Sequence, residues 1–378
     1  MTEPENHLPA GTPAAAAPLL SPLPDVQPSD NAVAASDDRP PGQTAAPGPG
    51  LCESVAWVCG VWAVHAIAIL GVLALLVGVH WHASGLVPEF SSFLQDFNNN
   101  TLLLAGVVGL ATTLYGLGAV AYRARPHGLR RLGWRAPAPG HILLTVLLVV
   151  PLSLLCTEWQ KALFHVFTGS RDDLSGVFER MAGVGLPWLL LVLAGLPALG
   201  EELVFRGLIG RGLVARYGVP GGVVLTSVLF GVVHVNPAQG LAVIPLGIAM
   251  HSLYLITKSF WSPMLLHFLN NGFAAVMLKV AQGHDEAQLG GDGPLPLELL
   301  CVCMTVTTAI FAVLWETRIR YTLNGATVWD PGYPTLEPPP PHLGAVPTRG
   351  SARPLVLVGG TFCLVGFIAV FWRCAVGP

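Results

Sequence analysis

The sequence predicts an all-α fold, a polytopic transmembrane helical bundle of about eight to nine spans. Three observations carry this. Hydrophobic residues make up 52% of the 378 residues and the mean hydropathy is +0.60. Charged residues make up 11%, against about 25% in an ordinary soluble protein. The apolar residues fall into runs close to the ~20 helical residues that cross a bilayer's hydrocarbon core. The formal net charge of -3 excludes a basic nucleic-acid-binding surface, so no nucleic-acid partner is expected. The seven cysteines form no CxxC pair, which argues against a disulfide scaffold or a structural zinc site.

Residues 1–50 hold eleven prolines and ten alanines. Such a segment buries too little apolar area to offset its ordering entropy and reads as a disordered tail. N-terminal transmembrane helices fill 51–184, with spans near 54–80, 101–122 and 141–160. A core at 185–281 carries spans near 185–204, 220–236, 239–257 and 262–281. Gly218, Pro220 and Gly221 break the chain between the first two of these. A loop and a further helix, near 296–317, occupy 282–321. A Pro-rich linker at 322–353, read as polyproline or plain spacer, leads to a last helix within 354–378, near 354–373. The loop after the second span holds Arg123, Arg125, Arg130, Arg131 and Arg135, and the loop before it holds no Lys or Arg. The positive-inside rule then places the N-terminus in the cytoplasm.

Most of these spans are featureless, but the fourth reads Gly200-Glu201-Glu202-Leu203-Val204-Phe205-Arg206-Gly207. A charge at mid-bilayer costs about 2.5–3.5 kcal/mol on insertion scales, so such groups face a bundle interior or a wet cavity. Glu202 and Arg206 stand at i, i+4 and can pair. Glu201 lies about 100° around the helix and has no such partner, which leaves it free for chemistry. The next span adds Phe230 and His234, and the seventh adds His267 and Asn271, again at i, i+4. A lone histidine in a span is usually a packing residue, and His251 is read so. Together, one carboxylate, two histidines and an amide form an inventory for hydrolysing a peptide bond. A carboxylate with an imidazole can deprotonate water, and a second imidazole with an amide can donate to the oxyanion. The same groups, Glu201, His234 and His267, could instead be three ligands of an open zinc site, although no HExxH motif occurs.

The motifs EExxxR, FxxxH and HxxxN, each expected on an apolar helix, resemble those of the CAAX protease and bacteriocin-processing family of intramembrane proteases. They read here as Glu201-Glu202…Arg206, Phe230…His234 and His267…Asn271, within about 185–281. Phe205-Arg206-Gly207 and Phe260-Trp261-Ser262-Pro263 also look like that family. The resemblance implies an endopeptidase similar to type II CAAX prenyl endopeptidases. Glu201 would be the base with His234, His267 and Asn271 the oxyanion hole, and Glu202 and Arg206 supporting residues. It implies a metal-free mechanism with no cofactor, zinc on Glu201, His234 and His267 being the alternative. It further implies a peptide or membrane-protein substrate, the lipid bilayer as partner, and residence in a bacterial cytoplasmic membrane. A non-proteolytic scaffold or immunity protein is the competing expectation. A proton-coupled transporter is disfavoured, since no second half repeats the broken helices.

Overall fold

The computed structural model describes residues 48–124, 129, 132–168, 181, 183–234, 236–281, 294–323, 326–329 and 346–349. The chain forms a multi-pass membrane protein. Helix α1 (Leu51–Ser84) ends where Gly85, at φ 68°, turns its N–H back to Trp81 O. A short helix, α2 (Phe90–Asn99), follows in a segment expected to be loop, and leads into α3 (Thr101–Arg123). Next comes α4 (Pro139–Thr168).

The 47-residue run α5 (Leu186–Val232) carries the acidic motif. It bends at Gly218, whose φ of 74° and ψ of 174° leave the helical region, where the sequence placed a break. A brief helix, α6 (Pro237–Ala242), is capped by Asn236, whose side chain accepts from Ala238 N and Gln239 N. Helix α7 (Ile244–Thr257) stops at Lys258 in the left-handed region, φ 52°. Helices α8 (Trp261–Ala281) and α9 (Leu297–Glu316) complete the described bundle.

Six described helical runs are long and apolar enough to cross a bilayer, fewer than the eight to nine expected. The fourth and fifth expected spans are the two helical parts of α5, which part at Gly218 and are counted together in that run. Helix α8 has the length but carries His267, Asn270 and Asn271 on its course. The expected span near 354–373 and most of the expected tail lie outside the described residues. The tail's last residues do not behave as tail: Gly48 and Pro49 are buried, and Gly48 O accepts from Arg216 Nε at 3.0 Å.

The Pro-rich linker also differs from expectation. Strands β1 (Ile319–Leu323), β2 (Ala326–Trp329) and β3 (Val346–Arg349) form an antiparallel sheet in the order β2-β1-β3. Ile319 pairs with Arg349 and Tyr321 with Trp329. Both ends of the expected spacer are therefore extended and paired, while the run Pro338–Pro341 lies outside the described residues.

Helix α3 lies along α5 through small residues, the packing that lets helices approach closely in a membrane. A Cβ on Gly109 would stand 2.9 Å from Leu196 Cβ, and one on Gly116 would stand 2.9 Å from Leu203 Cβ. A Cβ on Gly200 would stand 2.9 Å from Thr113 N. That close seam fixes the residue immediately before Glu201 against α3.

Candidate active site

The site begins with a defect in α5. Pro197 has no N–H, so Leu193 O loses the partner that α-helical spacing would give it. The run responds with wider, i→i+5 spacing over Leu190–Gly195. Leu193 O then accepts from Asn271 Nδ2 of α8 at 3.0 Å. Asn271 is held in turn, because Asn270 Nδ2 donates to its Oδ1 at 3.2 Å and Ser153 Oγ of α4 donates to Asn270 Oδ1 at 2.8 Å. A second wide segment, Leu203–Ile209, starts directly after the two glutamates and contains Arg206. Such π segments inside α-helices are frequent at functional sites.

Glu202 and Arg206 form the i, i+4 pair anticipated from spacing, and both side chains are fully buried. Arg206 Nη1 donates to Glu202 Oε1 at 2.8 Å, and Nη2 donates to Gly247 O of α7 at 3.0 Å. The guanidinium lies 4.7 Å from the centroid of the Phe230 ring. Removing two charges from water costs several kcal/mol per ion unless each is paired and hydrogen-bonded. Here the compensation comes from three elements.

His267 reaches both carboxylates. Its Nδ1 stands 2.9 Å from Glu202 Oε1, and its Nε2 stands 3.9 Å from Glu201 Oε2. Glu202 Oε1 also accepts from Arg206, so it is a carboxylate oxygen and His267 donates to it from Nδ1. The second contact is too long for a direct hydrogen bond. Glu201 differs sharply from its neighbour: its side chain is 20% exposed, against 0% for Glu202.

His234 departs from the expectation that it sits within a helix. The helix ends at Val232, and His234 occupies the following turn with its N–H on Gly231 O. Phe230 O can only accept, so the 3.0 Å contact makes His234 Nδ1 the donor and leaves Nε2 as an acceptor. No hydrogen bond joins His234 to Glu201 among the described residues. The role of Phe230 was not foreseen. Its ring packs edge-on against His234 at 5.1 Å, His267 at 6.0 Å and Phe205 at 5.2 Å, with Arg206 over its face. It is the apolar wall on which the site's polar groups are arranged. His251 is fully buried against Gly210, with neither ring nitrogen hydrogen-bonded, in keeping with a packing residue.

Among the described residues, no three His, Cys, Asp or Glu side chains are grouped so as to hold a metal ion. Glu201, His234 and His267 thus do not form the preassembled ligand set that the zinc alternative requires. Sequence reading also passed over His65 of α1, whose Nε2 lies 2.8 Å from Thr112 Oγ1 of α3. The available signal was an ionisable residue inside an apolar span.

Residues 183–273 match the family model described as type II CAAX prenyl endopeptidase Rce1-like. The chain is also similar to the "Putative membrane peptidase YdiL" of Bacillus subtilis (strain 168), with 28% identity over 92 residues. That alignment covers 24% of this chain and 38% of the relative, so the chain spans well under half of the relative's length. No solved structure matches the chain. The family match contains all three motifs, and the resemblance read from them is borne out over this stretch.

Proposed function

We propose that this protein is an intramembrane endopeptidase that uses Glu201 to activate water against a peptide bond. The observation that carries this reading is the contrast between two adjacent carboxylates. Glu202 is sealed and bound to Arg206 and His267, while Glu201 is partly exposed and faces the other nitrogen of the same imidazole. Neighbouring acids in different environments take different roles. Similarity to membrane peptidases adds independent support.

In the proposed reaction Glu201 accepts a proton from water, and His234, whose Nε2 is an acceptor, shares the role of base. The water oxygen attacks the carbonyl carbon. Asn271, which spends one N–H on Leu193 O, keeps a second for the oxyanion. His267, with its Nδ1–H fixed on Glu202, can donate to the same centre from Nε2 only as the imidazolium, both of whose nitrogens carry hydrogen. The proton held by Glu201 passes to the amide nitrogen as the C–N bond breaks, releasing a carboxylic acid and an amine, between which the acid's proton then moves to give carboxylate and ammonium. Glu202 and Arg206 support His267. No metal or cofactor takes part in this scheme. The substrate is a peptide or membrane-protein tail entering from the bilayer, and the protein resides in a bacterial cytoplasmic membrane with its N-terminus inside.

Profiling of peptide N- and C-termini in native membranes tests this, comparing the intact protein with Glu201→Ala at matched expression. Termini confined to the intact sample are expected and would identify the substrate. Identical profiles, with Glu201→Ala still rescuing a deletion phenotype, would replace the reading with the non-proteolytic scaffold.

A further inference from the structure

His65 lies outside the matched stretch, on a different helix, and no motif includes it. Two contacts place it beside the site. Trp62, one turn earlier on α1, donates from Nε1 to Val233 O at 3.3 Å, and Val233 immediately precedes His234. His65 itself meets Thr112, and the adjacent Thr113 packs on Gly200, which immediately precedes Glu201. The helix face bearing residues 62 and 65 therefore spans from the His234 turn to the Glu201 segment. The ionisable side chains that act on His65 electrostatically are the same two, Glu201 and His234.

The hydrogen bonds also fix its tautomer. The Thr112 hydroxyl has one proton, which it donates to Val108 O at 2.9 Å. The hydroxyl oxygen must then accept from His65, so Nε2 carries the ring proton and Nδ1 is the acceptor. Nδ1 has no hydrogen bond among the described residues and is not among the sealed polar atoms. A half-buried imidazole is thus held by one nitrogen while the other is available.

We propose that His65 is a positioning residue of this site, anchored by Thr112 so that Nδ1 accepts the second hydrogen of the water whose first hydrogen goes to the Glu201–His234 base. This rests on the endopeptidase reading. A water whose two hydrogens are both accepted keeps a lone pair directed away from its acceptors, toward the carbonyl it attacks. Orientation of this kind lowers the entropic part of the barrier.

The test follows the rate at which Glu201-dependent termini appear in membranes carrying the full chain. His65→Ala is expected to slow it about tenfold or more, and added imidazole to restore part of the loss. Thr112→Val, which keeps the shape and removes the anchor, is expected to slow it about fivefold, the worth of one hydrogen bond. His82→Ala, at the exposed far end of α1, is the control and leaves the rate unchanged. A wild-type rate in His65→Ala, with Glu201→Ala silent, overturns the role of His65 and leaves the endopeptidase standing. A loss that imidazole does not rescue, with Thr112→Val at the wild-type rate, marks a packing role and also overturns it. If His65→Ala fails to reach the membrane, Thr112→Val decides, and an unchanged rate overturns the proposal. Termini that are the same with and without Glu201 remove the endopeptidase reading, and this proposal falls with it.

Discussion

Helices α5 and α9 are both apolar and both long enough to cross a bilayer, yet they are built differently. Helix α9 is an unbroken α-helix of 20 residues, with 17% of its apolar stretch buried. Its Thr305 and Thr308 hydroxyls donate back to Cys301 O and Met304 O of the same helix, each at 2.8 Å. Half of the most apolar stretch of α5 is buried, and α5 carries Glu201, Glu202, Arg206 and Arg211 with two π segments. A helix facing hydrocarbon must satisfy its own polar groups. A helix walled by protein can borrow partners: α8 supplies Asn271 and His267, and α7 supplies Gly247 O. Irregularity and charge in α5 are therefore properties of its surroundings as much as of its sequence.

The sharpest way to break this comparison is to remove a borrowed or paired charge. Arg206→Ala is expected to cost about 3–5 kcal/mol, because Glu202 stays buried without its cation. Thermal unfolding in detergent would show this, and an unchanged melting point would contradict it. Replacing both partners, Glu202→Leu with Arg206→Met, is expected to recover most of that stability while leaving His267 without its anchor. Gly200→Ala and Asn271→Ala come next. The first pushes a methyl group onto Thr113 N at 2.9 Å and should cost about 1–3 kcal/mol. The second strips Leu193 O of its borrowed donor and should cost about 1–3 kcal/mol. Equal melting points for either variant and the intact protein would mean that the seam or the proline defect is relieved elsewhere. On α9, Thr308→Val removes only a self-contained, exposed hydroxyl and should stay within about 0.5 kcal/mol. A larger loss there would erase the distinction between the two helices.

The same contrast explains what could be read from the sequence. Charges inside an apolar run revealed α5, and the i, i+4 rule gave the Glu202–Arg206 pair, because both signals are local. The bend at Gly218 was legible for the same reason. The reach of His267 to both carboxylates was not, since it depends on the distance between α5 and α8. Pro197 was visible, but the wide register around it depends on Asn271, 78 positions away from Leu193. His234 was expected within a helix because FxxxH has helical spacing, yet the chain turns after Val232 and continues to the Asn236 cap. His65 escaped notice because its partner Thr112 lies 47 positions away on another helix. The β-strands at either end of the Pro-rich linker are held by pairing with β1, a contact that composition does not carry, so composition alone pointed to a spacer.

The central claim is that two adjacent glutamates divide the work, Glu201 serving chemistry and Glu202 holding the site. The direct measurement compares Glu201→Gln with Glu202→Gln in the same membranes, reading substrate termini and the melting point together. The account predicts that Glu201→Gln abolishes the termini and melts with the intact protein, whereas Glu202→Gln melts lower. Wild-type cleavage by Glu201→Gln would contradict it.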